Sequence, residues 1–339
     1  MKEQITQKLY KICTAGIQGK FPDKSDLVCL LSLEDFSPVY KFANGICERN
    51  FGKVVNIRAI LEFSNHCKRL CKYCGLNAKN QNITRYRMSE EDIIGTVKKA
   101  YDAGYKTIVL QSGEDTYFTA EKIGLAVKKI KSLCNIKVTV STGEMSYEDY
   151  EYIRRCGADR YLLKHETSDE KIYADLHEDY SLKRRIKCLY DLKKLGFETG
   201  SGFMIGLPNQ TLDTIAEDLI TLAKIPCDMA GIGPFIPHPD TELANVPAGS
   251  TELTKRAVAL TRIILPKANL PATTSLGVIN SDEKNDIFSC GANVIMRKVT
   301  PQIYEKHYNI YPSDIKVTDI SEQRKQLEDD IKSLGKIPI

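Results

Sequence analysis

The sequence predicts a closed (β/α)8 barrel of the TIM type, with a helical extension at its N-terminus and a short extension at its C-terminus. Three observations predict it. Short apolar, β-branched runs alternate with longer amphipathic segments, which implies a parallel sheet. The short runs number eight, the count of a closed barrel. Nothing interrupts the alternation as the two halves of an open doubly wound sheet require, and no low-complexity linker divides the chain. The expected boundaries are residues 1–53 for the helical extension, 54–312 for the barrel and 313–339 for the C-terminal extension.

The elements follow in order. About fifty residues of mainly helical character lead into "VVNIRAILEF" (54–63), the first strand. "SEEDIIGTVKKAYDAG" (89–104) opens on Ser and acids and closes on Gly, which are the signals of a capped helix. "KTIVLQSG" (106–113) is the second strand, and "TAEKIGLAVKKIKSL" (119–133) is a helix opened by Thr. "KVTVSTGE" (137–144), "SYEDYEYIRRCG" (146–157), "RYLLKHE" (160–166) and "LKRRIKCLYDLKKLG" (182–196) repeat the strand–helix unit twice. "ETGSGFMIG" (198–206), "TLDTIAEDLITLAK" (211–224), "DMAGIGPF" (228–235) and "STELTKRAVALTRIIL" (250–265) repeat it again. "LPATTSLG" (270–277) and "ANVIMRK" (292–298) complete the eight strands. Several strands end in polar residues ("QSGED", "STGE", "KHET", "PFIPHPD", "TTS"), so chemistry is expected at the C-terminal mouth.

Composition narrows the function. The 339 residues are 42% hydrophobic and 27% charged, as in a soluble globular protein. Lys and Arg total 48 against 44 Asp and Glu, which argues against an extended nucleic-acid-binding surface. No run is long and apolar enough for a signal peptide or a membrane span, so a cytoplasmic protein is expected. In that reducing setting, eight of the eleven cysteines stand singly and read as small buried apolar residues.

The other three cluster in "EFSNHCKRLCKYCGLNAK" (62–79): Cys67, Cys71 and Cys74. A structural zinc site closes with four Cys or His ligands. His66 adjoins Cys67, but adjacent residues rarely reach one metal, and no second CxxC follows. Offsets of four and seven would share a helix face, yet the polar, Gly-containing flanks read as a loop. A 4Fe-4S cluster is usually held by four cysteines. Three thiolates leave one iron open for a substrate or cosubstrate.

CxxxCxxC after the first strand, with Tyr73 before the last cysteine, resembles the signature of radical S-adenosylmethionine enzymes. "EFSNHCKRLCKYCGL", "TIVLQSGED", "ADRYLLKHET", "GLPNQT", "GIGPFIPHPDTELAN", "LPATTSLG" and "GANVIM" together are similar to the HydE-type FeFe-hydrogenase maturases, across about residues 54–312. The resemblance implies one 4Fe-4S cluster whose open iron binds S-adenosylmethionine, and reductive cleavage to a 5′-deoxyadenosyl radical. It implies action on the sulfur of a cysteine-bound organometallic iron precursor of the hydrogenase diiron subcluster. The partners implied are a low-potential electron donor, the other hydrogenase maturases and a scaffold protein, with no nucleic acid and no membrane. Two alternatives stay open: a radical enzyme acting on a small amino acid, like methylornithine synthase or biotin synthase, and a non-catalytic zinc-binding module.

The same resemblance assigns roles. Cys67, Cys71 and Cys74 match the cluster ligands, and Tyr73 matches the adenine-side contact. Gln111, Ser112, Gly113 and Glu114 match the segment that receives the methionine amino group. Glu166 and Arg185 match residues that hold the ribose and carboxylate, and Tyr308 matches a tyrosine near the adenosyl group. Thr139, Lys164, Thr273, Thr274 and Met296 match positions lining the substrate cavity. Lys164 stands where the family has arginine, and lysine lacks the bidentate fork. Lys164 and Glu166, two apart on a strand, share a face, either the barrel interior or the helix side. His165 then points the other way, and His238, between prolines, reads as loop-shaping. Some relatives carry further cysteines near the C-terminus for an accessory cluster. Here none follows Cys290, so no accessory cluster is expected.

Overall fold

A computed structural model describes residues 2–178, 180–279, 286–312 and 319–339. Residues 313–318 of the expected C-terminal extension therefore lie outside the described residues.

Eight parallel strands form the barrel. They are β1 (Val54–Ser64), β2 (Thr107–Ser112), β3 (Lys137–Ser141), β4 (Arg160–Leu162), β5 (Glu198–Ser201) with its continuation β6 (Met204–Ile205), β7 (Met229–Ala230) with β8 (Gly233–Pro234), β9 (Pro271–Ala272) and β10 (Val294–Lys298). The order around the wall is β7-β5-β4-β3-β2-β1-β10-β9. The ring closes through a bridge between Met229 and Asn269, where the Ala230 N–H donates to the Asn269 carbonyl at 3.1 Å. β1 is buried along nearly its whole length, as a strand covered on both faces of a barrel wall is.

Six helices match the amphipathic segments: α4 (Glu90–Asp102), α5 (Ala120–Leu133), α6 (Tyr147–Arg155), α8 (Leu182–Lys194), α9 (Leu212–Lys224) and α10 (Thr251–Ile264). Ser89, Thr119, Ser146, Ser181, Thr211 and Ser250 each accept a backbone N–H at their N-termini. The N-terminal helices α1 (Lys2–Ile17), α2 (Lys24–Leu31) and α3 (Ser37–Phe51) pack outside the ring against α9 and α10.

Several expected strands are shorter than the sequence suggests. "RYLLKHE" is a strand only to Leu162. "ETGSGFMIG" and "DMAGIGPF" break at Gly202 and Gly231, whose backbones approach so closely that a Cβ on Gly202 would strike the Gly231 carbonyl. "LPATTSLG" is a strand for two residues and then turns into a helix at Thr274–Ile279. The C-terminal segment packs tightly: a helix, Ile320–Ser333, buries Leu327 and Ile331, and Ile337–Pro338 pairs in parallel with the start of β1.

Candidate active site

The cysteine loop follows β1 at the C-terminal mouth. It is held without regular structure by backbone bonds to distant segments. The Lys68 N–H donates to the Glu114 carbonyl (3.0 Å), Lys72 to Leu176 (3.1 Å) and Gly75 to Ile310 (3.0 Å). Gly113 lies so close beneath it that a Cβ there would meet the Cys67 Cβ at 2.7 Å. Burial pushes the Cys67 thiol up, Cys71 to about 12 and Cys74 well above its ordinary value, and the thiols' mutual repulsion adds to the shifts of Cys71 and Cys74. Three such groups become thiolates together only around a strong positive charge. Among the described residues no three His, Cys, Asp or Glu stand around one point that a single metal ion could occupy. Three loop cysteines fit a 4Fe-4S cluster that leaves one iron open, whereas a structural zinc site closes with four ligands.

Below the loop the barrel encloses a cavity of about 270 Å³. Tyr73, Gln111, Glu166 and Tyr308 line it, and so do all five residues expected at the substrate: Thr139, Lys164, Thr273, Thr274 and Met296. Lys164 and Glu166 face inward and meet each other at 3.0 Å. They do so although the strand has ended, because Glu166 takes a left-handed backbone (φ 65°). That conformation costs roughly 1–2 kcal/mol in a non-glycine residue. It is fixed by Glu166 N–H donating to Gly202 and by Met204 N–H donating to Glu166, each at 3.0 Å. The Thr139 hydroxyl is buried here without a hydrogen-bond partner. Tyr308 accepts from Gln111 Nε2 at 3.3 Å.

Ser112 and Gly113 sit against the cysteine loop: the Gly113 N–H donates to the Ser64 carbonyl at 3.2 Å. Glu114 and Arg185 do not line the barrel cavity. They belong to a charge network beside it that is buried except for Arg184. Arg69 contacts Glu114 (2.6 Å) and Glu144 (3.2 Å), and Glu144 also contacts Arg184 (3.1 Å) and Arg185 (2.9 Å). Three guanidiniums face two carboxylates, and Arg69 stacks over Tyr180 at 3.4 Å. Arg69 Nε and Nη1, Glu114 Oε2 and both Glu144 oxygens are buried with no aligned hydrogen bond. These are close charge contacts with donor and acceptor capacity to spare, which suits a polar ligand.

Tyr73 is oriented by a histidine that the sequence did not single out. His177 Nδ1–H donates to the Tyr173 carbonyl (2.9 Å), so Nε2 accepts the Tyr73 hydroxyl at 3.0 Å. Burial pulls His177 down to about 4, which keeps it neutral. Tyr173 stacks on His177 and accepts from Arg185 at 3.3 Å. These residues come from α7 (Glu170–Leu176) and the residue that caps it, a helix too short to show in the periodicity. Also missed were Glu62 and Lys298, which line the cavity and pair at 3.1 Å. Burial, against the attraction of Lys298, holds the Glu62 carboxyl up at about 7. The inward register of β1 was a usable signal for Glu62, since Arg58, Ile60 and Glu62 alternate along one face. His165 is fully buried outside the cavity, bonded to Ser201 at 2.9 Å. His238 accepts the Asp240 N–H at 3.1 Å and shapes its loop.

A barrel with three loop cysteines above such a chamber defines a class, the radical S-adenosylmethionine enzymes. The Radical SAM superfamily profile matches residues 61–222, and membership implies a 4Fe-4S cluster and S-adenosylmethionine as cofactors. Within that class the chain belongs to the family of the [FeFe] hydrogenase maturase subunit HydE. It is 49% identical to that protein from Thermotoga maritima over 82% of this chain and 79% of the relative. It is 29% identical to 3-methylornithine synthase of Methanosarcina acetivorans, over 99% of this chain and 94% of the relative. The crystal structure of methylornithine synthase shares the fold, with a TM-score of 0.83 at 24% identity over 97% of each chain. The zinc-module alternative is thereby set aside. No helix among the described residues is long and apolar enough to cross a membrane.

Proposed function

We propose that Cys67, Cys71 and Cys74 hold one 4Fe-4S cluster and that S-adenosylmethionine lies between the cysteine loop and the barrel cavity. When bound and reduced, the cluster supplies the electron that cleaves the sulfonium and releases a 5′-deoxyadenosyl radical. The observation that carries this reading is the convergence of the cysteine loop, Tyr73, Gln111, Glu166 and Tyr308 on one mouth.

In this reading Tyr73, fixed by His177, faces the adenine. Glu166 accepts the ribose hydroxyls, and Gln111, Ser112 and Gly113 receive the methionine amino group. Arg185 takes the carboxylate, with Glu114 and Glu144 as its electrostatic frame. Thr139, Lys164, Thr273, Thr274 and Met296 would hold the substrate in the chamber they line, beside the cofactor. The substrate is an organometallic or amino-acid-derived compound, in keeping with a maturase that processes a cysteine-bound iron precursor. A low-potential donor supplies electrons, and the product passes to the other maturases and a scaffold protein. Residues 54–312 carry these steps, with 1–53 and 313–339 as extensions, in a cytoplasmic protein. Because no cysteine follows Cys290, one cluster serves the whole chain.

The test is complementation. A host that lacks its own HydE but keeps the other maturases and an [FeFe]-hydrogenase is expected to regain hydrogenase activity with this chain. Cluster-loaded protein that cleaves S-adenosylmethionine but restores no activity would overturn the maturase role and leave the radical chemistry standing.

A further inference from the structure

We propose that Glu62 and Lys298 form an anchor for the amino-acid portion of the substrate, with Lys298 taking a carboxylate and Glu62 an amine N–H. This deepens the reading of the barrel cavity as the substrate chamber and rests on it.

The position comes first. Glu62 lies at the C-terminal end of β1 and Lys298 ends β10, the neighbouring strand. Both side chains line the cavity. Glu62 stands in register with Gln111 of β2. In the ring of eight, β10 lies four strands from β4, so Lys298 stands across the chamber from Lys164 and Glu166. The chamber thus has two lysine–glutamate pairs on opposite walls.

Energetics argue that the pair is not there for stability. The Glu62 side chain is 3% exposed and that of Lys298 20%. A buried ion pair is often no better than apolar residues of the same volume, because desolvation offsets the attraction. Its remaining contact is weak, with Thr300 Oγ1 at 3.4 Å from Glu62 Oε2. The raised carboxyl of Glu62 agrees: one ammonium at 3.1 Å does not compensate its burial, so a second cationic or N–H donor is favoured there.

The ligand class follows from exchange. An amino acid carries its carboxylate and its amine on one carbon. The two can replace the Glu62–Lys298 contact with two new contacts and leave the charge of the chamber unchanged. A simple anion would leave Glu62 unpaired, and a simple cation would leave Lys298 unpaired. An amine bound to iron still offers N–H donors, so the site also suits a metal-bound amino acid.

The experiment uses cluster-loaded protein with S-adenosylmethionine, handled anaerobically. The probes are S-methyl-L-cysteine, its methyl ester and its N-acetyl derivative, titrated by calorimetry. We expect the parent to bind S-methyl-L-cysteine at least tenfold more tightly than either derivative. Lys298→Met should erase the preference for the free acid over the ester. Glu62→Gln should erase the preference for the free amine over the N-acetyl compound. A parent that binds all three alike, or none, overturns the proposal, and so do variants that both keep their preferences. Formation of 5′-deoxyadenosine under dithionite, measured without probe, reports separately on the underlying radical chemistry.

Discussion

Lys164 Nζ and Glu166 Oε2 lie 3.0 Å apart inside the barrel, on a segment where the strand has given way to a left-handed turn. The cavity lysine is therefore already paired with the residue proposed to hold the ribose. Lys164→Met should keep the cluster and lose substrate-dependent turnover by about tenfold or more, since a charge-assisted contact is worth roughly 1.5–3 kcal/mol. Lys164→Arg should keep most of it, because the charge and its partner remain. Formation of 5′-deoxyadenosine with and without substrate separates the outcomes. Parent-like turnover of Lys164→Met would remove Lys164 from the substrate site.

Gly113 tests the seat of the cysteine loop. A Cβ at this position meets the His66 carbonyl and, at 2.7 Å, the Cys67 Cβ. Neither is the free end of a flexible side chain, so the loop must move. Gly113→Ala should load well under half of the parent's iron. Gly95→Ala, on α4 with open space around it, should load normally and gain up to about 1 kcal/mol of stability. Equal iron in the two variants would contradict the proposed packing of the loop.

Glu62 predicts a pH signature. Its folded value, about 7, lies above the ordinary carboxylate value of 4.5, so the native state binds the proton more tightly than the unfolded chain. The contribution of this group is fully present below about pH 4.5 and is lost as pH rises through 7. Relative to Glu62→Gln, the ligand-free parent should lose stability over that window by up to about 1.4 kcal/mol per pH unit. Denaturant unfolding of both proteins at pH 5, 6, 7 and 8 measures it. A pH-independent difference would show that Glu62 is not held in its buried site.

The barrel was legible in the sequence because strands such as β1 and β2 are largely buried and read as apolar runs, while each of the six amphipathic helices opens on a hydroxyl cap such as Ser89 or Thr119. The strand ends were less legible. Contacts between Gly202 and Gly231, distant in sequence, cut two strands short. The cysteines were readable from their motif, and the cavity residues Thr139, Lys164 and Met296 from the family resemblance, with register leaving Lys164 on either the interior or the helix side. Arg69, Glu144 and His177 were not, since each gains its meaning from a partner far along the chain: Glu114, Arg185 and Tyr73. Tyr73→Phe in the cluster motif removes one such link, the hydroxyl that His177 accepts. It should raise the KM for S-adenosylmethionine severalfold with little change in kcat if His177 serves only to orient the ring.

The assignment of ligands is tested by a pair of cysteines. Cys71 sits among the three loop thiols, whereas Cys134 caps α5 and is buried among apolar side chains. Cys71→Ala should abolish both iron loading and cofactor cleavage. Cys134→Ala should spare both, with a modest loss of stability. Equal loss of iron in the two would refute the ligand set.

The most direct test of the central claim is the 5′-deoxyadenosine formed when anaerobically reconstituted protein is reduced with dithionite in the presence of S-adenosylmethionine, measured alongside its iron content. The account predicts about four irons per chain, product in the parent and none in Cys71→Ala. A protein that holds its iron, is reduced by dithionite and forms no 5′-deoxyadenosine, or one that reproducibly holds six to eight irons, would contradict it.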